Sequence, residues 1–243
     1  MPSKSETGHA KNLANFETLI SFCNGYGADY NPSRAELQLN GLNTLRTNAR
    51  NSLAEVSSAK NAFINATNAR QTLFEPLKKL ATRIISALNA SGAGEKLVKD
   101  ARTINNKIQG RRSKPKPMTD EDEVGSEKTI SVSQQSYHSI TENFADLVVL
   151  VSNEPAYAPN ETELQPATLQ TLVEELRAAN IEVADAYTAY SNARIGRNQT
   201  LYDENGLEDV AANVKDYVKS LYGTSHERYK QVSTLEFKKP GKQ

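Results

Sequence analysis

Two arginines carry the clearest sign of possible chemistry in this chain. Arg70 and Arg197 each lie on an apolar helical stripe, just before a Gln-Thr-Leu-aromatic run that occurs at residues 71–74 and again at 199–202. A guanidinium set into an apolar seam needs an acceptor, which can be a carboxylate, a carbonyl or a bound anion. Asn68, Gln71, Asn192 and Gln199 stand close by in sequence. Together the six residues define an expected buried polar layer that would hold a small polar or anionic ligand. The competing reading is structural. Each arginine buries its stem and carries its head group to water, or pairs with a glutamate and fixes helix register.

Other chemistry is sparse. His9, His138 and His226 are far apart, and none has the helical Glu-x-x-His spacing of a metal-binding bundle. No Gly-rich phosphate loop, nucleophile elbow or zinc-ligand spacing occurs. Cys23 is the single cysteine, which excludes an internal disulfide, and its place on an apolar stripe marks it as a small core residue. The sequence therefore predicts no catalytic set, no metal and no cofactor.

The elements that must position the arginines follow from a motif that occurs twice. Residues 30–37 and 157–164 both read Y-x-P-x-x-x-E-L. Proline is tolerated at the first helical position, and a glutamate in the first turn complements the helix dipole, so each motif is expected to start a long helix. Two further matches occur in the same order, N-F-x-x-L at residues 15–19 and 143–147, and the Q-T-L-aromatic run itself. The expected fold is therefore all-α: an internally duplicated bundle of long helices, with two repeats of about three helices related by a pseudo-two-fold axis or in tandem. The first repeat spans residues 1–108 and the second 131–243.

Within the first repeat, Leu13, Phe16, Leu19, Ile20 and Cys23 form one face of an opening helix. A long seam follows from Leu42 to Leu88 with three–four spacing, interrupted at Glu75-Pro76. The matching place in the second repeat, residues 202–207, carries an Asn-Gly turn signal, so a hairpin turn is expected at both. Ser91-Gly92-Ala93-Gly94 breaks the next helix, and helix resumes from Glu95 to Ile108. Residues 109–130 are basic and Pro-rich, then acidic, with no apolar period, and read as an extended or disordered linker.

Composition narrows function by exclusion. Formal net charge is zero over 243 residues, which gives no bulk attraction to nucleic acid or to an anionic membrane. The longest apolar run is residues 147–151, far short of a span, and the first nine residues lack the apolar centre of a signal peptide. A soluble cytoplasmic protein is expected. The leading functional expectation is a non-enzymatic structural or interaction protein that engages a protein partner or another copy of itself, with nine of its tyrosines divided between core edge and partner surface. The alternative is the ligand-binding bundle built on the Arg70 and Arg197 layer.

Overall fold

The repeated Y-x-P-x-x-x-E-L motif does not start a helix. In the computed structural model, residues 30–34 and 157–161 run outside helix, and a single 3-10 turn follows in each, Ala35–Leu37 and Thr162–Leu164. The tyrosine that opens each motif closes it. Tyr30 donates its hydroxyl to the Leu37 carbonyl at 2.7 Å, and Tyr157 donates to the Leu164 carbonyl at 2.9 Å. Both rings are buried, as are Leu37 and Leu164. A buried carbonyl needs a donor, and here the phenol supplies it across seven residues. The long helices begin only afterwards, at Leu39 and at Pro166, and it is Pro166 that takes the first helical position.

The structure describes residues 4–111 and 135–239, with side chains from Gly8 onward. These residues form α1 (Lys4–Gly25), α2 (Leu39–Phe74), α3 (Leu77–Ala90), α4 (Glu95–Gln109), α5 (Tyr137–Ser152), α6 (Pro166–Tyr202), α7 (Leu207–Tyr222) and α8 (Glu227–Ser233), and no strand occurs among them. The turns fall where the sequence places them. Pro76 separates α2 from α3, and Asn205, with φ 59°, turns the chain into α7. Gly110 ends α4 in the left-handed region, φ 75°, with Arg111 N–H on the Asn106 carbonyl. Most of the 109–130 linker lies outside the described residues.

The chain divides into two compact units, and neither coincides with a predicted repeat. The first unit combines Met1–Phe63 with Ala186–Gln243, and the second is Ile64–Asp185. The divisions fall inside α2 and inside α6. The first unit buries Phe16, Leu19 and Cys23 of α1 with Leu42 and Ala49 of α2, Leu201 of α6, Val210 and Val214 of α7 and Val232 of α8. The second buries Phe74 of α2, Ile84 and Leu88 of α3, Ile108 of α4, Phe144 and Leu147 of α5, and Leu169 and Leu176 of α6. The amphipathic stripes read from sequence are thus the buried faces, but each core draws its helices from both sequence halves.

Two local features explain why α2 takes its course. A side chain at Gly41 would lie 2.4 Å from the Ala35 carbonyl oxygen, so glycine alone lets the first turn of α2 press on the preceding 3-10 turn. Further along, Asn48, Asn51, Asn61, Asn65 and Asn68 are all exposed, which explains how so many asparagines sit in one helix. The large buried residues lie at its ends. Its middle buries little beyond Ser52, Val56 and Ala66.

Candidate ligand site

The second unit holds a cleft of about 730 Å³ built from the last turns of α2, the first half of α5 and the middle of α6. Arg70 reaches it from α2. Its guanidinium carbon lies 4.1 Å from the centre of the Tyr137 ring, a cation–π contact. Phe74, one turn further along α2, meets the same ring edge-on at 4.8 Å. Tyr137 is therefore fixed by its neighbours, and Arg70 spends a face on it. Arg70 Nε is buried with no hydrogen-bond partner among the described residues.

Asn180 is the complementary case. Its Nδ2 donates to Thr141 Oγ1 at 3.1 Å, and Thr141 Oγ1 itself donates to the Tyr137 carbonyl at 2.9 Å. Because the threonine proton is already spent, Thr141 can only accept from Asn180, and that fixes which end of the amide faces it. Asn180 Oδ1 is then the free end. It too is buried without a partner among the described residues.

Arg177 and Glu142, which also line the cleft, satisfy one another. Arg177 forms a fork on Glu142, Nε to Oε1 at 3.4 Å and Nη2 to Oε2 at 3.2 Å, and donates its Nη1 to Glu174 at 3.0 Å. The Arg177 hydrogen bonds hold the Glu142 carboxyl below its usual range, and Glu142 in return raises Arg177. Ile181 and Ala184 supply an apolar wall that faces outward, Ile181 being 61% exposed. The cleft is thus lined by the Arg70 guanidinium, the paired Arg177 and Glu142, His138, the Asn180 amide and an apolar surface. A second groove in this unit, about 740 Å³ along α3 and α6, is mainly apolar and is flanked by the Arg83–Glu163 ion pair.

The six residues singled out by sequence do not form one buried layer. Arg70 belongs to the second unit and Arg197 to the first. Arg197 is buried, 3% exposed, with Nε and Nη2 on Asn198 Oδ1 at 3.3 and 3.0 Å. Asn68, Gln71, Asn192 and Gln199 are exposed, because they sit off the buried stripe of their helices. Tyr137, Thr141, Glu142, Arg177 and Asn180 were not singled out as site residues. They converge from α5 and α6, and no spacing within either helix marks them.

Two of the three histidines have structural partners. His9 is buried with Nδ1 2.6 Å from the Tyr202 hydroxyl. His226 caps α8 by accepting from the Arg228 amide at 3.1 Å. His138 lines the rim of the cleft. Among the described residues no three His, Cys, Asp or Glu side chains are grouped to hold a metal ion, and no helix is long and apolar enough to cross a membrane. No protein-family model, curated protein or solved structure matches this chain.

Proposed function

We propose that this chain is a non-enzymatic helical binding protein that holds a small polar or anionic ligand in the Arg70 cleft. One observation carries the reading: Arg70 and Asn180 line the same cleft, and each holds a buried polar atom, Nε and Oδ1, without a partner among the described residues, while Arg177 and Glu142 beside them are paired. Leaving either group unpaired costs on the order of 1–3 kcal/mol, and turning either side chain onto a bound ligand would recover that cost. Native mass spectrometry of the full chain tests it. The wild type is expected to retain added mass that Arg70→Gln loses at unchanged helicity. Bare chain mass in the wild type, together with equal thermal stability of the two proteins, would count against it.

A protein-interaction role is the second reading, favoured by large apolar side chains left exposed, with Val149 at 59% and Ile195 at 53%. Val149→Asp and Ile195→Asp should each abolish self-association in light scattering if these faces pair. A strict monomer in the wild type would remove the self-association form of this reading. We also infer that the two halves arose by duplication. Two features recur in matching places: the tyrosine-closed 3-10 turns, and the ring pairs Phe74–Tyr137 and Tyr202–His9. Matched losses of stability on deleting the two tyrosine hydroxyls are the corresponding test.

A further inference from the structure

We infer that α1 and α7 of the first unit form a docking groove for an extended segment of a protein partner, patterned large apolar–acidic–aromatic, and that residues 235–239 occupy it in cis as a displaceable strap. The Arg70 cleft belongs to the second unit, so neither proposal rests on the other. Residues 235–239 follow α8 outside any helix or strand, and exposure alternates along the first four of them. Leu235 and Phe237 are half-buried and pack against the core of the first unit. Glu236 and Lys238 are exposed and pair with each other at 2.7 Å. This two-residue period is that of an extended chain laid along a surface.

The groove grips this segment by its backbone. From α1, Asn15 Nδ2 donates to the Glu236 carbonyl at 2.7 Å, and Asn12 donates to the Lys238 carbonyl at 2.9 Å and accepts from its N–H at 3.1 Å. From α7, Lys215 Nζ donates to the Leu235 carbonyl. Main-chain bonds of this kind give affinity to any extended segment, and the alternate side chains give the preference. Here the preference is for a large apolar residue at the place of Leu235 and an aromatic at the place of Phe237, whose ring centre lies 5.2 Å from Lys215 Nζ. Between them, the Glu236 carboxyl is held below its usual range by Lys238 first, with Lys11 and Lys215 adding to the effect, so the basic rim favours an acid there.

Asn12 is what makes the groove a receptor. It is 2% exposed, and both ends of its amide engage one residue of the strap, with Nδ2 also 3.2 Å from the Tyr202 hydroxyl. A buried amide stripped of these partners is costly, so a groove that loses its strap calls for another extended backbone. The strap itself is lightly held. Its apolar residues are only half-buried and its bond to Asn15 is exposed. Segments with few buried contacts and exposed backbone bonds are those that open locally.

Fluorescence anisotropy on the full chain tests the inference with a fluorescein-labelled peptide that copies residues 233–239. In the wild type the tethered strap competes at an effective concentration on the order of millimolar, so only peptide near that level should displace it. Leu235→Ser with Phe237→Ser loosens the strap and should tighten peptide binding by about tenfold or more. In that background Asn12→Ala should weaken binding by about tenfold, and a peptide with serine in place of its leucine and phenylalanine should not bind. A peptide that reads Ile-Asp-Tyr in place of Leu-Glu-Phe should bind within about fivefold of the first, because it keeps the pattern and the backbone. Lys238→Pro is the second variant if the first loses helicity, since it removes the N–H that Asn12 accepts and leaves the core residues in place. Cleavage after Glu236 by a glutamate-specific protease reports release of the strap in both. Release without peptide binding would overturn the inference and make the strap a fixed part of the fold. So would a strap that stays protected in both variants, loss of helicity in both, equal binding by wild type and variant, or binding that ignores Asn12→Ala. Dimers that form in the wild type and vanish in Phe237→Ser would give the groove to a second copy and overturn the partner reading.

Discussion

Tyr157→Phe isolates the contribution of the hydroxyl that closes the turn before α6. The ring is 5% exposed, and its hydroxyl lies 2.9 Å from the Leu164 carbonyl in a buried bond. Phenylalanine fills the same volume, so no cavity forms. The change removes one buried hydrogen bond and leaves a buried acceptor unpaired, which together cost on the order of 1–3 kcal/mol. Urea unfolding followed by circular dichroism reads this as a lower midpoint with an unchanged slope. For a slope of about 2 kcal/mol/M the shift is roughly 0.5–1.5 M. Tyr30→Phe should behave alike, since its bond to Leu37 is 2.7 Å and equally buried. Because the two tyrosines belong to different compact units, the two losses should add. There is also a pH signature. Burial, with a smaller contribution from Glu161, pushes the Tyr157 phenol up to about 12. A folded value above the unfolded one of about 10 means that this contribution is complete below pH 10 and is lost as pH rises toward 12. The gap between wild type and Tyr157→Phe should therefore narrow across that window. A midpoint shift below about 0.2 M at pH 8 would refute the role given to the hydroxyl.

Cys23 is fully buried, and burial pushes its thiol up to about 11 against a smaller opposing effect of Tyr30. Its contribution to stability is complete below pH 9 and lost as pH rises through 11, and iodoacetamide at pH 8 should label it only at the rate at which the unit opens, so labelling within minutes would contradict its burial. Asn12 grips the backbone of Lys238 with both ends of its amide, donating to the carbonyl at 2.9 Å and accepting from the N–H at 3.1 Å. Asn12→Ala should abolish hydrogen-exchange protection of the Lys238 amide and speed tryptic cleavage there, while unchanged protection would deny the clamp. Glu142 is held below the usual carboxylate range by Arg177, so its contribution is present above pH 4.5 and lost as pH falls through its folded value. Glu142→Gln should cost at most about 1 kcal/mol at pH 7, given the exposure of the pair, and nothing at pH 3, with the thermal midpoint at the two pH values as the check.

Helical periodicity made the faces legible and left the partners hidden. Phe16, Leu19 and Cys23 stand out as one stripe because the core they enter is apolar on every side, and α1 buries that stripe. Pro76 and Gly206 mark their turns because each acts through its own backbone. The Y-x-P-x-x-x-E-L motif is different. Read one residue at a time, each member suits a helix start, yet the tyrosine acts on a carbonyl seven residues away and holds the chain out of helix. Local propensity contains no term for that bond. The same limit applies to the compact units. α1 and α7 each show a correct apolar face, but nothing in either period says that they share one core.

The site follows the same logic at the scale of single atoms. Arg70 was legible because a cation interrupts an apolar stripe, and its helix brings it to the cleft. Arg197 was legible for the same reason, but its stripe leads into the other unit, where it bonds Asn198. The residues that line the cleft with Arg70, Tyr137 and Asn180 among them, look ordinary in sequence. A tyrosine near a helix start and an asparagine in mid-helix carry no signal until Thr141 is seen to use up one end of the amide. In sequence, an arginine on an apolar stripe suggests that a polar partner exists. The hydrogen bonds around Asn180 are what show which end of its amide is left without a partner among the described residues.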